Sequence, residues 1–234
     1  FTSSLHTLLP SNSISFGNVS FEHCTIIGDM IFGGDSMSLM FADAQITSSN
    51  PSSNSTGIAV FGDSNSIQLY ESFVSGFDQG LISFSGANIE FTGEGLTLEN
   101  SLKDGIVANT PNGFLDIDRL AVANVRKGLK TTKSSFIQLY DVLISQCTSH
   151  CIDISDNSIL NMAYGRLENG DIGIEIGAEG ALNLNNSAIK FQSKSGIITQ
   201  STSALNHCNV VFNGTSGVVL SDNNFHTLDN SIIW

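Results

Sequence analysis

Gly173-Ile174-Glu175-Ile176-Gly177-Ala178-Glu179-Gly180-Ala181-Leu182-Asn183-Leu184 decides the fold, because Gly196-Ile197 opens another unit built the same way. Ile174 and Ile176 alternate with their neighbours, a turn follows, and Leu182 and Leu184 alternate again. Working outward, a glycine followed by an apolar residue returns at Gly57-Ile58, Gly80-Leu81, Gly105-Ile106, Gly128-Leu129, Gly173-Ile174, Gly196-Ile197 and Gly217-Val218, with Cys151-Ile152 in the one vacancy. Counted on the apolar member, the steps from 58 to 218 are 23, 25, 23, 23, 22, 23 and 21. A period of this size marks a repeat architecture.

Each unit carries two further alternating runs, such as Leu115 and Ile117 and then Leu120 and Val122. Period-two alternation predicts strands with one buried face, and no stretch of the repeat sustains a 3.6-residue pattern. Asn-Gly or Asp-Gly hairpin punctuation does not recur at the turns. The expectation is a coil of three short strands, each paired in parallel with its counterpart one turn later, about 4.8 Å away. Asn100, Asn124, Cys147, Asn169, Gln192 and Asn213 form a second column just before the anchors, read as corner residues because Asn tolerates left-handed backbone angles.

On this period and stacking the chain resembles the right-handed parallel β-helix superfamily, which includes pectate-lyase-like enzymes, phage tailspikes and bacterial surface passenger domains. The resemblance implies an all-β solenoid of about nine to ten coils over residues 1–234 as a single domain, with Ile14-Ser15-Phe16 and Gly28-Asp29-Met30-Ile31 as less regular early coils. It specifies a fold and leaves the activity open.

Composition narrows the partners. Of 234 residues, 41% are hydrophobic and 13% charged, against about 25% charged in ordinary domains. A net charge of −13 disfavours nucleic acid and anionic membrane, and no apolar run has the length of a bilayer span. The start at Phe1 and the end in Ser231-Ile232-Ile233-Trp234 are read as marks of a piece of a longer protein. His23-Cys24, His150-Cys151 and His207-Cys208 fall at different phases of the coil, so no metal site is expected from them, and Cys147 and Cys151 alone are spaced to bridge.

Charges in a coil are read as columns. Glu71, Glu94, Asp118 and Asp141 follow one another by 23, 24 and 23 residues, an alignment open to a one-residue slip. Directly stacked like charges destabilise a sheet, so the column calls for a reason. One is catalysis: Asp116 and Asp118 alternate on one strand, about 7 Å apart, inside the window for an inverting pair of glycosidase carboxylates, with Asp141 one coil on. Another is Ca²⁺, which takes such oxygens. The plainer reading is a solvated edge neutralised by Arg119, Lys127 or Lys130. Glu71, Glu94, Lys103, Arg126 and Lys130 are the candidate ligand-binding residues, since six of the nine basic residues gather near Lys103–Lys133 and are placed to hold an acidic sugar or to balance charge internally.

Near-uniform coil length leaves little room for cleft-forming loops, and a smooth rod offers little concavity. The longer coil carries a Ser/Asn-rich loop at 47–56, and Asn18, Asn54, Asn185 and Asn213 stand in glycosylation sequons. The leading expectation is a non-catalytic β-helical module of an exposed surface or virion protein, extracellular, meeting a cell-surface glycan or receptor. The alternatives are a polysaccharide lyase or hydrolase of the tailspike kind and a purely structural rod. A homotrimer, as in the tailspikes it resembles, is the expected assembly if there is one.

Overall fold

The computed structural model describes residues 17–48, 55–155, 157–220 and 224–234. The first early coil and most of the Ser/Asn-rich loop, with Asn54, lie outside them. Among the described residues every regular element is a strand, and the strands wind through about nine turns of a parallel solenoid. Asn18–Glu22, Thr25–Ile27 and Met30–Gly33 make the first described coil, one strand on each of three faces. In the middle of the rod the pairing runs on through the corners, so that Gly113–Thr131 and Ser135–Ile154 each pair along all three faces of a coil.

Register follows from the inward side chains. On the first face Ile67, Phe91, Leu115, Ile137, Leu160 and Leu182 lie in one pairing column, all buried. A one-residue slip would turn this whole set outward, so burial pins the pairing. The third-face column runs Ile58, Ile82, Ile106, Leu129, Ile152, Ile174, Ile197 and Val218. One anchor of the sequence reading is therefore corrected. Ile82, not Leu81, stacks on Ile58, and Leu81 takes the place that glycine holds in other coils. Gly80 stands one residue outside the column.

The glycine column is a matter of space. Its members Gly57, Gly105, Gly128, Gly173, Gly196 and Gly217 do not have left-handed backbone angles. A Cβ on Gly128 would lie 2.4 Å from Ile144 Cγ2 and 2.5 Å from the Cys151 carbonyl oxygen of the next coil. On Gly173 it would meet Ile189 Cγ2 and the Gly196 carbonyl, both at 2.4 Å. The second-face side chain fills the corner, and the neighbouring backbone closes it.

Left-handed residues mark the other corners. Between first and second faces, His23, Asp43, Glu71, Gly95, Arg119, Asp141, Tyr164, Asn186, His207 and Asn230 all have φ between 44° and 67°. A single residue in this conformation turns the chain from one sheet to the next, at a steric cost for most side chains. Between second and third faces the positions are Asn100, Asn124, Gln146, Asn169, Phe191 and Phe212. The amide column is thus right at Asn100, Asn124 and Asn169, and one residue late at Cys147, Gln192 and Asn213. An amide ladder forms at one step, where Asn124 Nδ2 donates to Asn100 Oδ1 at 3.1 Å. Gln192 serves differently: buried, it accepts from the Gly170 N–H at 2.8 Å and donates to the Leu167 and Lys190 carbonyls.

All four cysteines are free thiols. A hydrogen bond with Cys147, together with burial, raises the Cys151 thiol well above its ordinary range. Cys24 and Cys208 share one phase, each just after a left-handed histidine of the first corner, which corrects the reading that all three His-Cys pairs lie on different faces. They sit at opposite ends of the rod and do not converge.

Replacing Gly128 with Ala is expected to lower stability by about 1–3 kcal/mol, the usual cost of overpacking a tight site. Gly33→Ala, where a Cβ meets nothing within 4 Å, should stay within about 0.5 kcal/mol of the parent. Urea unfolding midpoints read both.

Candidate functional site

The outer side of the first face, from the fifth coil onward, carries a concavity built from recognisable chemistry. One outward column runs Asp116, Gln138, Asn161, Asn183 and Ala204, and the next runs Asp118, Tyr140, Ala163, Asn185 and Asn206. Ala163 falls between Tyr140 and Asn185, and Ala204 follows Asn183. These short side chains leave a depression between longer ones. The resulting groove has a volume of about 410 Å³ and is lined by Asp116, Gln138, Tyr140, Asn161, Asn183, Asn185 and Asn206 over an apolar floor. The expectation of a rod with little concavity is qualified here: the groove comes from short side chains set among longer ones along regular columns and needs no inserted loop.

Within it, Asn183 Nδ2 donates to Asn161 Oδ1 at 2.8 Å, tying two coils together. Tyr140 and Tyr164 meet edge to face, centroids 5.1 Å apart, and each is about half exposed (52% and 51%). Phe114 and Phe136 stack at 5.7 Å on the strand residues that precede the groove columns.

Asp116 lines the groove. Asp118 is half-buried beside it, paired in register with Tyr140, and its Oδ1 is buried without a hydrogen-bond partner. Asn206 Oδ1 is in the same condition at the far end. Asp141 is absent from the groove lining, because it is the left-handed corner residue that follows Tyr140.

The acidic column divides in two. Glu94 and Asp118 do stack, but their column continues through Tyr70 and Tyr140, and Glu71 and Asp141 belong to the corner. Arg119, in that same corner, bonds Glu71 Oε1 at 2.8 Å and Glu94 Oε1 at 2.6 Å. It reaches Glu71 two coils away because Gly95 stands between: a Cβ there would lie 2.5 Å from Glu71 Oε2. The hydrogen bonds to Glu94 and Glu71 hold the guanidinium even more firmly protonated. Neutralisation by Arg119 is therefore the observed answer for this pair. Among the described residues no three His, Cys, Asp or Glu side chains gather as a metal-binding group.

The basic cluster is largely spent on neighbours. Lys103 bonds Gln79, Arg126 makes a two-pronged pair with Asp104 at 3.0 and 2.9 Å, and Lys127 pairs with Asp153. Lys130 lies on the third face in register with Asp153, which in turn registers with Glu175. None of these five candidates for ligand binding, Glu71, Glu94, Lys103, Arg126 and Lys130, lines the groove. The groove amides Gln138, Asn161, Asn183, Asn185 and Asn206 escaped sequence reading because neutral side chains carry no charge or apolar period to count.

Fold comparison places the chain among right-handed parallel β-helix proteins. Its structure is similar to pectate lyase Pel9A (TM-score 0.62, 11% identity, covering 89% of this chain and 68% of that one). It is also similar to the periplasmic alginate epimerase AlgG (TM-score 0.50, 11% identity, 89% and 77% covered) and to that protein's T265N T268M double mutant (TM-score 0.53, 12% identity, 92% and 69% covered). No protein-family model matches the chain, and no curated protein matches its sequence.

Two outcomes test these electrostatics. Arg126→Leu strands Asp104, whose side chain is only 6% exposed. Breaking a fully buried pair costs about 3–5 kcal/mol; with Arg126 itself 42% exposed, about 2 kcal/mol is expected. Arg119→Leu should move the urea midpoint far less. Hydrogen bonds from Lys194 (2.7 Å) and Ser193 lower the Asp171 pKa. A depressed carboxylate stabilises above its unfolded value, about 3.9, and the contribution is lost as pH falls through the folded value. Lys194→Met should therefore lower the urea midpoint at pH 7 and converge with the parent at strongly acid pH.

Proposed function

We propose that this chain is a glycan-binding β-helix that lays a polysaccharide along the groove on its first face. The observation that carries the reading is the row Gln138, Asn161, Asn183, beside Tyr140 and flanked by Asn185 and Asn206, at one-coil spacing in a depression. A primary amide offers two donors and an acceptor, which suits adjacent sugar hydroxyls, and a half-exposed tyrosine presents an apolar body with a polar tip. The bond between Asn161 and Asn183 leaves the Asn161 NH₂ group and the Asn183 carbonyl oxygen to face a ligand.

The role we assign is binding without turnover, as a rigid module of an exposed surface or virion protein. Extracellular or periplasmic placement agrees with the neighbours' names, one of which is a periplasmic enzyme. A second reading, a polysaccharide hydrolase, draws on Asp116 in the groove and on the buried, unpartnered Asp118 Oδ1. β-Elimination of the lyase kind is less well served, since no Lys, Arg or His lines the groove.

Isothermal titration against a panel of soluble polysaccharides tests the proposal. At least one should bind, and Asn161→Ala or Tyr140→Ala should weaken it by about tenfold, roughly 1.4 kcal/mol, with Lys133→Ala on the distant turn as the unaffected control. New reducing ends that appear with the parent and vanish with Asp118→Asn would replace the binding role with the hydrolase.

A further inference from the structure

Resting on the glycan reading of the same groove, we infer that its ligand is a neutral polysaccharide and not one whose sugars carry carboxylates. The lining supplies five amides, a tyrosine and one acidic side chain, Asp116. Asp118 stands next to it on the same strand face. A uronate laid here would bring a further anion to each of these acids, with no cation in the lining to meet it.

Nor is Arg119 held in reserve for such an anion. Arg119 follows Asp118 directly, but both its acid partners, Glu71 and Glu94, lie back along the rod, away from the groove. The chain's net charge of −13 adds an unfavourable background field for any polyanion.

The fold neighbours sharpen the contrast, since pectate and alginate are polymers with a carboxylate on every sugar. The groove of this chain is built for something without that charge, such as a glucan, galactan, mannan or xylan.

The test titrates the whole chain at low ionic strength with β-glucan, galactan, mannan, xylan, pectate and alginate, each with and without millimolar Ca²⁺. A neutral polymer should bind, with pectate and alginate at least about tenfold weaker. Asp116→Asn should narrow that gap, and the Asp116→Asn, Asp118→Asn double variant should narrow it further. Asp116 is exposed, so its single variant serves if the double fails to fold. Tightest binding of pectate or alginate, alone or only with Ca²⁺, would overturn the neutral-ligand inference and leave the glycan reading standing. Binding of no polymer in either set would overturn both.

Discussion

Everything in this rod depends on the distance at which one coil lies on the next. Parallel hydrogen bonds fix that spacing at about 4.8 Å, and every other choice must fit it. A glycine is required wherever a second-face side chain and the next backbone already fill the corner, as Ile144 and the Cys151 carbonyl do around Gly128. The interior compensates for gaps: Gly93 leaves its place in the inward column empty, and Leu96 closes the hole. The corners on either side of the second face take a single left-handed residue, which turns the chain from one sheet to the next.

This same constraint explains what could be read from the residues alone. The inward columns were legible because burial forces chemistry to repeat: Ile58 through Val218 is a line of apolar side chains, and the period appears without alignment to anything else. Corners were less legible. The backbone there asks for a conformation and not for a residue type, so Glu71, Arg119, Tyr164 and Phe191 meet the same demand as Asn100. Counting by residue type then slips by one, which is how Leu81 displaced Ile82, Gln192 displaced Phe191, and four acids seemed to share a column that belongs to two.

The groove was invisible for a different reason. Outward columns are free of the core's demand, and no period distinguishes Gln138, Asn161 and Asn183 from any other polar surface residues. What makes them a site is the smallness of Ala163 and Ala204 beside them, a property of neighbours in space and not in sequence. Asp116 and Asp118 were found because charge is conspicuous. On the neutral-ligand proposal, their amide-rich surroundings turn that pair from a catalytic candidate into a filter on the ligand's charge.

The reach of Arg119 has a mechanical side. A pull along the rod axis loads the hydrogen bonds between coils in series, and a solenoid opens by peeling one coil from the next. Most side-chain links span a single gap and part when that gap opens. The guanidinium that passes over Gly95 to Glu71 spans two, so the coil between cannot leave without breaking both of its anchors. Stretched from its ends, the rod would strain this one exposed link whichever of the two gaps opened first, so three coils share it.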